Sequence, residues 1–556
     1  MTVSTKTAAL ALALLIVGAC GRQGSDPPPT PVPATEAGTC TGVFPSYWQD
    51  PAPKFSPMWA GQVQSNTPPS GWTGPVFRLS DAYPQQLSDE RDAQTWRDAR
   101  FDALFAPATS QADKTSLAEE YAWAVMRYIQ EGNIDSGSIA TDWTLCNNPV
   151  RGWYHMPFQT YDVLSGREFA HGLTREAPVK FNMRAPDHPA ASVTLASTIW
   201  AVGFFNQTAA YTLGTIWRPD GTATPPVDNV SFDEGAVVGK LLFTTLSPAQ
   251  VPSLENVPAW TANISDPGFC ACTGQNGARC TMQEQSEQCP RSTRLWAPVH
   301  LLQFDIAIKD GRAPGTEWVF GTFVADGQRK GGEPSPWNRI SPLGLMWGND
   351  TPPVGQLAHA HPVDPQQNGF AEEVIFWDVV DMLNAAGGGT LPMRPGHLGC
   401  NSRLNGPADN ANSSCLSCHM TASVPDNVGR VPPIIAQFQP SPGVTSECVT
   451  PAPSHPETGV DAAGTHTSVK NGIPFAASDR IFFFNTGAGV PVNMTAQTPS
   501  GPVNVLGDAP QYADGRTEWI ALDYSLQLSI SLVQWREWQR NQADTMPSFG
   551  ATLPGR

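Results

Sequence analysis

Hydrophobic and polar positions divide the chain into stretches of different rhythm. Between residues 87 and 131 the apolar positions fall at helical spacing: Leu117, Tyr121, Val125 and Tyr128 recur three and four apart. Ser116 and Glu119 form a capping-box pair ahead of that stripe, which predicts a helix with one core-facing side. From about residue 190 to 325 the rhythm changes. SVTLASTIWAVGFF, YTLGTIW, VVGKLLFTTL, WAPVHLLQFDIAI and WVFGTFVA are dense in β-branched and aromatic residues, with turn residues between them, and predict strands. Helices do not alternate regularly with these runs. The pattern therefore disfavours a doubly wound sheet and favours an antiparallel sandwich or barrel-like core. EEVIFWDVVDMLNAA, residues 372 to 386, predicts a helix stopped by Gly387-Gly388-Gly389, and that glycine run marks a domain boundary.

The two ends of the chain follow other rules. Lys6 precedes an apolar run from Ala8 to Val17 that is too short for a permanent membrane span and has the flanks of an export signal. Val17-Gly18-Ala19-Cys20 resembles the lipobox of bacterial lipoproteins, in which the cysteine becomes the lipid-bearing first residue of the mature protein. Gly21 follows, and no aspartate stands there to suggest retention at the inner membrane. The resemblance implies a lipid-anchored protein of the periplasm or cell surface, at the outer membrane of a Gram-negative bacterium. Residues 25 to 38 are Pro-rich and read as a semi-rigid tether. No later segment has the uninterrupted apolar run of a transmembrane helix, so the expected membrane contact is the lipid alone. A formal net charge of -17 argues against nucleic acid and anionic lipid as partners.

An exported chain changes what eleven cysteines mean. Setting aside Cys20, Cys415 and Cys418 leaves eight, an even number that suggests four disulfides. Cys270, Cys272, Cys280 and Cys289 lie in one polar stretch and read as two local bridges, with a zinc site as the rival. Cys400 and Cys448 flank the remaining motif, and Cys40 and Cys146 are left for each other.

That motif is Cys415-Leu416-Ser417-Cys418-His419, a C-x-x-C-H. Two thiols one helical turn apart can both reach the vinyl groups of a haem, and the adjacent histidine presents its imidazole to the iron. A redox dithiol would sit in a βαβ setting that is not evident here, and a zinc knuckle would need closer ligands than Cys448, His455 and His466. Haem c, one per chain and covalently attached, is the expected cofactor.

The stretch RLNGPADNANSSCLSCHMTA, Arg403 to Ala422, resembles the haem-binding segment of a cytochrome c-like domain. That domain closes a group of large bacterial lipoproteins of little-characterised function. RGWYHMPFQTYDVLSGREFAHGLTREAP, GAVVGKLLFTTL, WVFGTFVADG and PWNRISPLGLMWGND resemble the front portions of the same proteins. The resemblance implies an α+β chain: a large β-rich N-terminal domain with some helices, then a mainly α-helical cytochrome c-like haem domain. The expected boundaries are a signal peptide over 1–19, a tether over 20–39, the β-rich part over 40–390 and the haem domain over 391–556. Within the last, residues 426 to 473 read as an irregular excursion, and IFFFN (481 to 485) as porphyrin cover or core. LDYSLQLSISLVQWREWQR alternates like a strand over Leu526, Leu528, Ile530 and Leu532 but has the length of a helix; a cytochrome c-like domain closes with a helix, which decides for helix.

The far side of the iron is open to several readings. Met494 stands where class I cytochromes present a distal methionine; His455, His466, Met546 or no protein ligand are the alternatives. Trp153, Tyr154 and His155 with Arg167, Glu168 and His171, and Arg339, Trp347, Asn349 and Asp350, form two polar-aromatic groups that would line a pocket or simply be buried and hydrogen-bonded. His359 and His361 suggest a metal pair or a surface strand. Three function classes follow: a tethered electron-transfer cytochrome, a haem-dependent peroxidase- or oxygenase-like oxidoreductase with an open distal site, and a haem-based binding or sensor protein. The partner in the first is a redox protein or a small-molecule oxidant or reductant.

Overall fold

The runs rich in β-branched and aromatic residues form the strands of one large antiparallel sheet. The structure is a computed structural model that describes residues 71–265, 294–347 and 372–386 apart from short gaps. Toward the C-terminus it describes residues 398, 404–409, 415–419, 422–425, 495–498, 501–504, 519–532 and 535. The strands in chain order are β1 (Arg167–Glu168), β2 (Leu173–Arg175), β3 (Val179–Ala185), β4 (His188–Ser197), β5 (Ile199–Phe205), β6 (Val237–Thr244) and β7 (Ala259–Ser265). They continue as β8 (Arg294–Lys309), β9 (Trp318–Ala325), β10 (Ile340–Trp347), β11 (Glu372–Ile375), β12 (Ser423–Pro425), β13 (Thr495–Thr498), β14 (Gly501–Asn504) and β15 (Trp519–Ala521). Among the described residues nine of them make the main sheet, in the order β1-β2-β5-β6-β8-β9-β10-β11, with β7 also paired to β8. Every pairing in it is antiparallel. The chain is therefore α+β with a predominantly antiparallel sheet.

Both faces of this sheet are covered, and the alternation of side chains assigns each residue to one of them. On the first face, Phe204, Leu241, Phe304, Ile306, Phe323 and Trp347 pack against helix α2 (Gln111–Gln130), which follows the short helix α1 (Asp102–Phe105). Tyr121, Val125 and Tyr128 of the expected stripe are buried there, and Leu117 packs at its margin. The cap lies earlier than Ser116. Ser110 Oγ accepts from the Asp113 N–H at 3.2 Å, so helix α2 starts one and a half turns sooner, and Ser116 and Glu119 lie inside it. Residues 91 to 101, expected as continuous helix, are three separate 3-10 turns.

The second face carries helix α3 (Gln207–Ile216), helix α4 (Trp377–Ala386) and the described part of the C-terminal region. Helix α3 corrects the reading of YTLGTIW as a strand. Asn206 caps it, its Oδ1 accepting from the N–H groups of Ala209 (3.0 Å) and Val237 (2.9 Å). Gly214 lets the helix approach Tyr83 so closely that a Cβ there would stand 2.9 Å from that residue's Cβ. Capping and close packing outweigh the β-propensity of Tyr211, Thr212 and Thr215. Helix α4 is shorter than expected, because Glu372–Ile375 pair with β10 as the edge strand β11. At the C-terminus residues 526–532 are helical, which agrees with the helix read there.

Pairing across β5, β6, β8 and β9 lines up Gly203, Lys240, Asp305 and Thr322 as one row of the second face. The next row is Phe205, Val238, Ala307, Phe320 and Met346. Beyond it Lys309 pairs with Trp318. These rows are the floor of the site.

Candidate functional site

Residues 404–409 lead the chain onto the floor. Gln303, projecting from β8, clamps this loop: its Oε1 accepts from the Ala408 N–H at 2.8 Å, and its Nε2 donates to Asp409 Oδ2 at 2.8 Å. Gly406 passes so near that a Cβ would lie 2.1 Å from Gln303 Oε1, so any other residue there would have to displace the Gln303 amide. Asp409 closes the loop on itself by accepting from the Gly406 N–H at 2.9 Å. The Cys415 N–H then donates to the Leu404 carbonyl at 3.0 Å, and the chain turns into helix α5 (Cys415–His419).

In helix α5 the two cysteines are three residues apart, which sets them on one side of a single turn. Neither cysteine is in a disulfide, and both are half-buried. Leu416 is fully buried against the sheet, with its N–H toward Met346 Sδ at 3.4 Å. Cys415 Sγ lies 3.8 Å from Thr322 Oγ1. Burial first, and then the nearby carboxyl groups of Asp409 and Asp305, push the Cys415 thiol well above its ordinary pKa. A redox dithiol or a zinc ligand needs the thiolate, which this environment opposes. Among the described residues no group of three or more His, Cys, Asp or Glu is arranged to hold a metal ion.

His419 ends the helix beneath the chain that returns from β15. Strands β12 and β15 pair, the Leu522 N–H donates to the Ala422 carbonyl at 3.0 Å, and the Ala422 N–H donates to the His419 carbonyl at 3.1 Å. The turn that follows brings the Tyr524 carbonyl to 2.9 Å from His419 Nδ1. A carbonyl only accepts, so Nδ1 carries the proton and Nε2 holds the free lone pair. The imidazole packs on Phe320 with centroids 4.4 Å apart. Burial drives its pKa down to about 4, so the ring is neutral at neutral pH. A neutral imidazole with its second nitrogen pinned is the form that ligates iron. A haem c held here would take Cys415 and Cys418 for its two thioethers and His419 for the iron.

A polar cluster adjoins the Cys415 side. Asp305 accepts from Gln303 Nε2 at 2.7 and 2.8 Å through its two oxygens, and from Thr322 Oγ1 at 3.0 Å. Burial first, and then the nearby Asp409 charge, raise the Asp305 pKa well above the usual carboxylate range. Lys240 lies beside it and pairs with Glu176 at 3.1 Å. Burial opposes the Lys240 ammonium, but Glu176, Asp305 and Asp409 outweigh it and raise its pKa.

The other expected residues have different fates. Trp153 and Trp347 are fully buried in the core against helix α2, on the opposite face from His419, so the structure does not bring them to the motif. Trp347 makes an edge contact with Phe105 at 5.4 Å. Tyr154 pairs with Ser80 and Phe205. His155 is buried, its Nδ1 3.0 Å from the Gly203 carbonyl. The Arg339 guanidinium donates to the Arg329 carbonyl. For Trp153, Tyr154, His155 and Trp347 the plainer reading of burial holds; His155 is also hydrogen-bonded, whereas the indole N–H groups of Trp153 and Trp347 have no hydrogen-bond partner among the described residues. Arg167 and Glu168 form the edge strand β1. Cys146 is disulfide-bonded and buried; Cys40, its expected partner, lies outside the described residues. Cys20, His171, Asn349, Asp350, His359, His361, His455, His466, Ile481 to Asn485, Met494 and Met546 also lie outside them.

Sequence reasoning missed Phe320, Thr322, Asp305, Lys240, Asp523 and the Tyr524 carbonyl. One signal was present. In LLQFDIAIK, Gln303, Asp305 and Lys309 occupy alternate positions of an otherwise apolar strand, which marks a polar purpose on one face. The chain matches no protein-family model, no curated protein and no solved structure.

Proposed function

We propose that this chain is a c-type cytochrome that carries one haem, joined through Cys415 and Cys418 and ligated by His419, and passes electrons at the cell envelope. The observation that carries the reading is the 2.9 Å contact of His419 Nδ1 with the Tyr524 carbonyl, which leaves Nε2 for iron beside two cysteines on one helical turn, neither of them in a disulfide. Haem bound there supplies a one-electron couple whose potential depends on its ligands and burial. The chain's own contribution is to orient the proximal imidazole, keep it neutral and shield it with Phe320. The finer features belong to the same proposal: a mainly α-helical cytochrome c-like domain over 391–556, Met494 as distal ligand, the lipid at Cys20, and a redox protein or small oxidant or reductant as partner.

The experiment is haem staining of the full-length protein on denaturing gels. Covalent haem that disappears when Cys415 and Cys418 are both changed to alanine supports the proposal. Stain that survives the double change, or none in the parent expressed with haem-attachment machinery, overturns it. A second reading, a haem-dependent oxidoreductase, is favoured by Asp305, a buried carboxyl near the motif whose pKa burial and Asp409 raise well above the usual range, toward that of a group that exchanges a proton during a reaction. Rapid binding of carbon monoxide and turnover of peroxide would move the assignment to it.

A further inference from the structure

The turn that aims the Tyr524 carbonyl is built against the preference of its own backbone. Asp523 and Tyr524 both have left-handed φ, 47° and 61°, and neither is glycine. Two such residues in succession persist only where the surroundings fix them. What fixes them here is the Asp523 carboxylate. It accepts from Lys309 Nζ at 2.9 and 3.0 Å, from Trp318 Nε1 at 3.0 Å and from the Phe232 N–H at 2.7 Å. Lys309 and Trp318 are neighbours on β8 and β9, and both are almost wholly buried. The sheet thus grips residue 523, and residue 524 holds His419.

We infer that Asp523, held by Lys309 and Trp318, is a positioning residue for the proximal haem ligand, so that the β-rich N-terminal part sets the electron affinity of the haem iron. The inference rests on the reading of Cys415, Cys418 and His419 as a haem c site. A firm Nδ1–H bond makes the imidazole a better electron donor and favours the ferric state. Loosening the Asp523 latch lets the Tyr524 carbonyl drift from Nδ1, and the potential rises. This gives the large front part of the molecule a role in electron carriage that a separate cytochrome module would not need.

Three variants of the full-length protein separate the latch from plain electrostatics. Trp318→Phe removes one donor to Asp523, leaves the formal charge unchanged and keeps an aromatic ring beside Phe320. Lys309→Met removes a cation, and Asp523→Asn removes an anion while tolerating the left-handed backbone. The readouts are the midpoint potential, by titration with one-electron mediators, and hydrogen exchange of the His419 ring N–H by NMR. The latch predicts a raised potential in all three, with ring N–H exchange faster by about tenfold or more. Charge alone predicts a rise for Asp523→Asn, a fall for Lys309→Met and no change for Trp318→Phe; that pattern overturns the inference. So does a Trp318→Phe protein that matches its parent in both readouts. If the protein carries no covalent haem, the proposed function fails, and ring N–H exchange in that haem-free protein still decides whether the latch holds His419.

Discussion

Phe320 and His419 lie ring against ring, with centroids 4.4 Å apart and planes tilted by 35°. Phe320 is buried in the second core, and its ring also stacks on Trp318 with centroids 6.2 Å apart. Truncating it leaves a cavity under the imidazole that the rigid strand β9 cannot close. Phe320→Ala is expected to cost about 3–5 kcal/mol of stability, read as a lower denaturation midpoint with an unchanged slope. It also opens His419 to solvent, so the imidazole pKa climbs back toward its ordinary value, which NMR titration of the haem-free protein would follow.

Asp305 gives a pH dependence with a definite sign. Its folded-state pKa is raised, so between the unfolded value and the folded one the native protein binds the extra proton. The stability that this proton supplies is complete below the unfolded pKa and is lost as pH rises through the folded one. Asp305→Asn keeps a neutral hydrogen-bonding group and removes the effect. Denaturation from about pH 4 to about pH 9 should therefore show the variant gaining on its parent as pH rises. His419, with its pKa depressed to about 4, contributes a slope of the opposite sign in mildly acid solution. It is present in both proteins and cancels in the difference. A difference that stays flat with pH refutes the raised Asp305 pKa.

Gly406→Ala tests the clamp on the loop before the motif. The new methyl group would stand 2.1 to 2.2 Å from the Gln303 amide, and that amide cannot swing aside without releasing Ala408, Asp305 and Asp409. A loss of about 1–3 kcal/mol is expected. The double variant Gly406→Ala, Gln303→Ala should recover part of it, because the obstruction is gone; absence of any recovery would point to backbone strain instead.

Cys20→Ser tests the anchor expected from the N-terminal segment. The variant should move from the membrane fraction to the soluble one, because among the described residues no helix is long and apolar enough to cross a bilayer. Unchanged partitioning would refute the lipid anchor.

Strand positions were legible because their information is local: each of VVGKLLFTTL, WAPVHLLQFDIAI and WVFGTFVA carries its β-propensity within a few residues. YTLGTIW misled because its helix depends on a cap at Asn206 and on close approach to Tyr83, partners outside the run. The motif cysteines and His419 announce themselves by spacing. The group that orients His419 does not, since a backbone carbonyl is the same in every residue. Nor did Asp523-Tyr524 betray a left-handed turn, for neither is the glycine that usually marks one. Trp153 and Trp347 looked like site residues because large aromatic side chains serve cores and pockets alike, and only the face of the sheet distinguishes the two.

The alternation along β8 has a consequence for how the sheet finds its pairing. Phe304 and Ile306 face one core; Gln303, Asp305 and Lys309 face the other, where each meets its hydrogen-bonding partners. A slip of one residue against β6 or β9 would exchange the two sets. An amide, a carboxyl and an ammonium would then be driven into the hydrocarbon around helix α2, far from Thr322, Asp409 and Asp523. Unpaired polar groups in such surroundings cost several kcal/mol each, and the three together are comparable with the net stability of a whole domain. The residues that furnish the floor beneath Cys415 and His419 therefore also act as sentries against a misthreaded sheet, and a chain that lost them would forfeit its guard on register along with its chemistry.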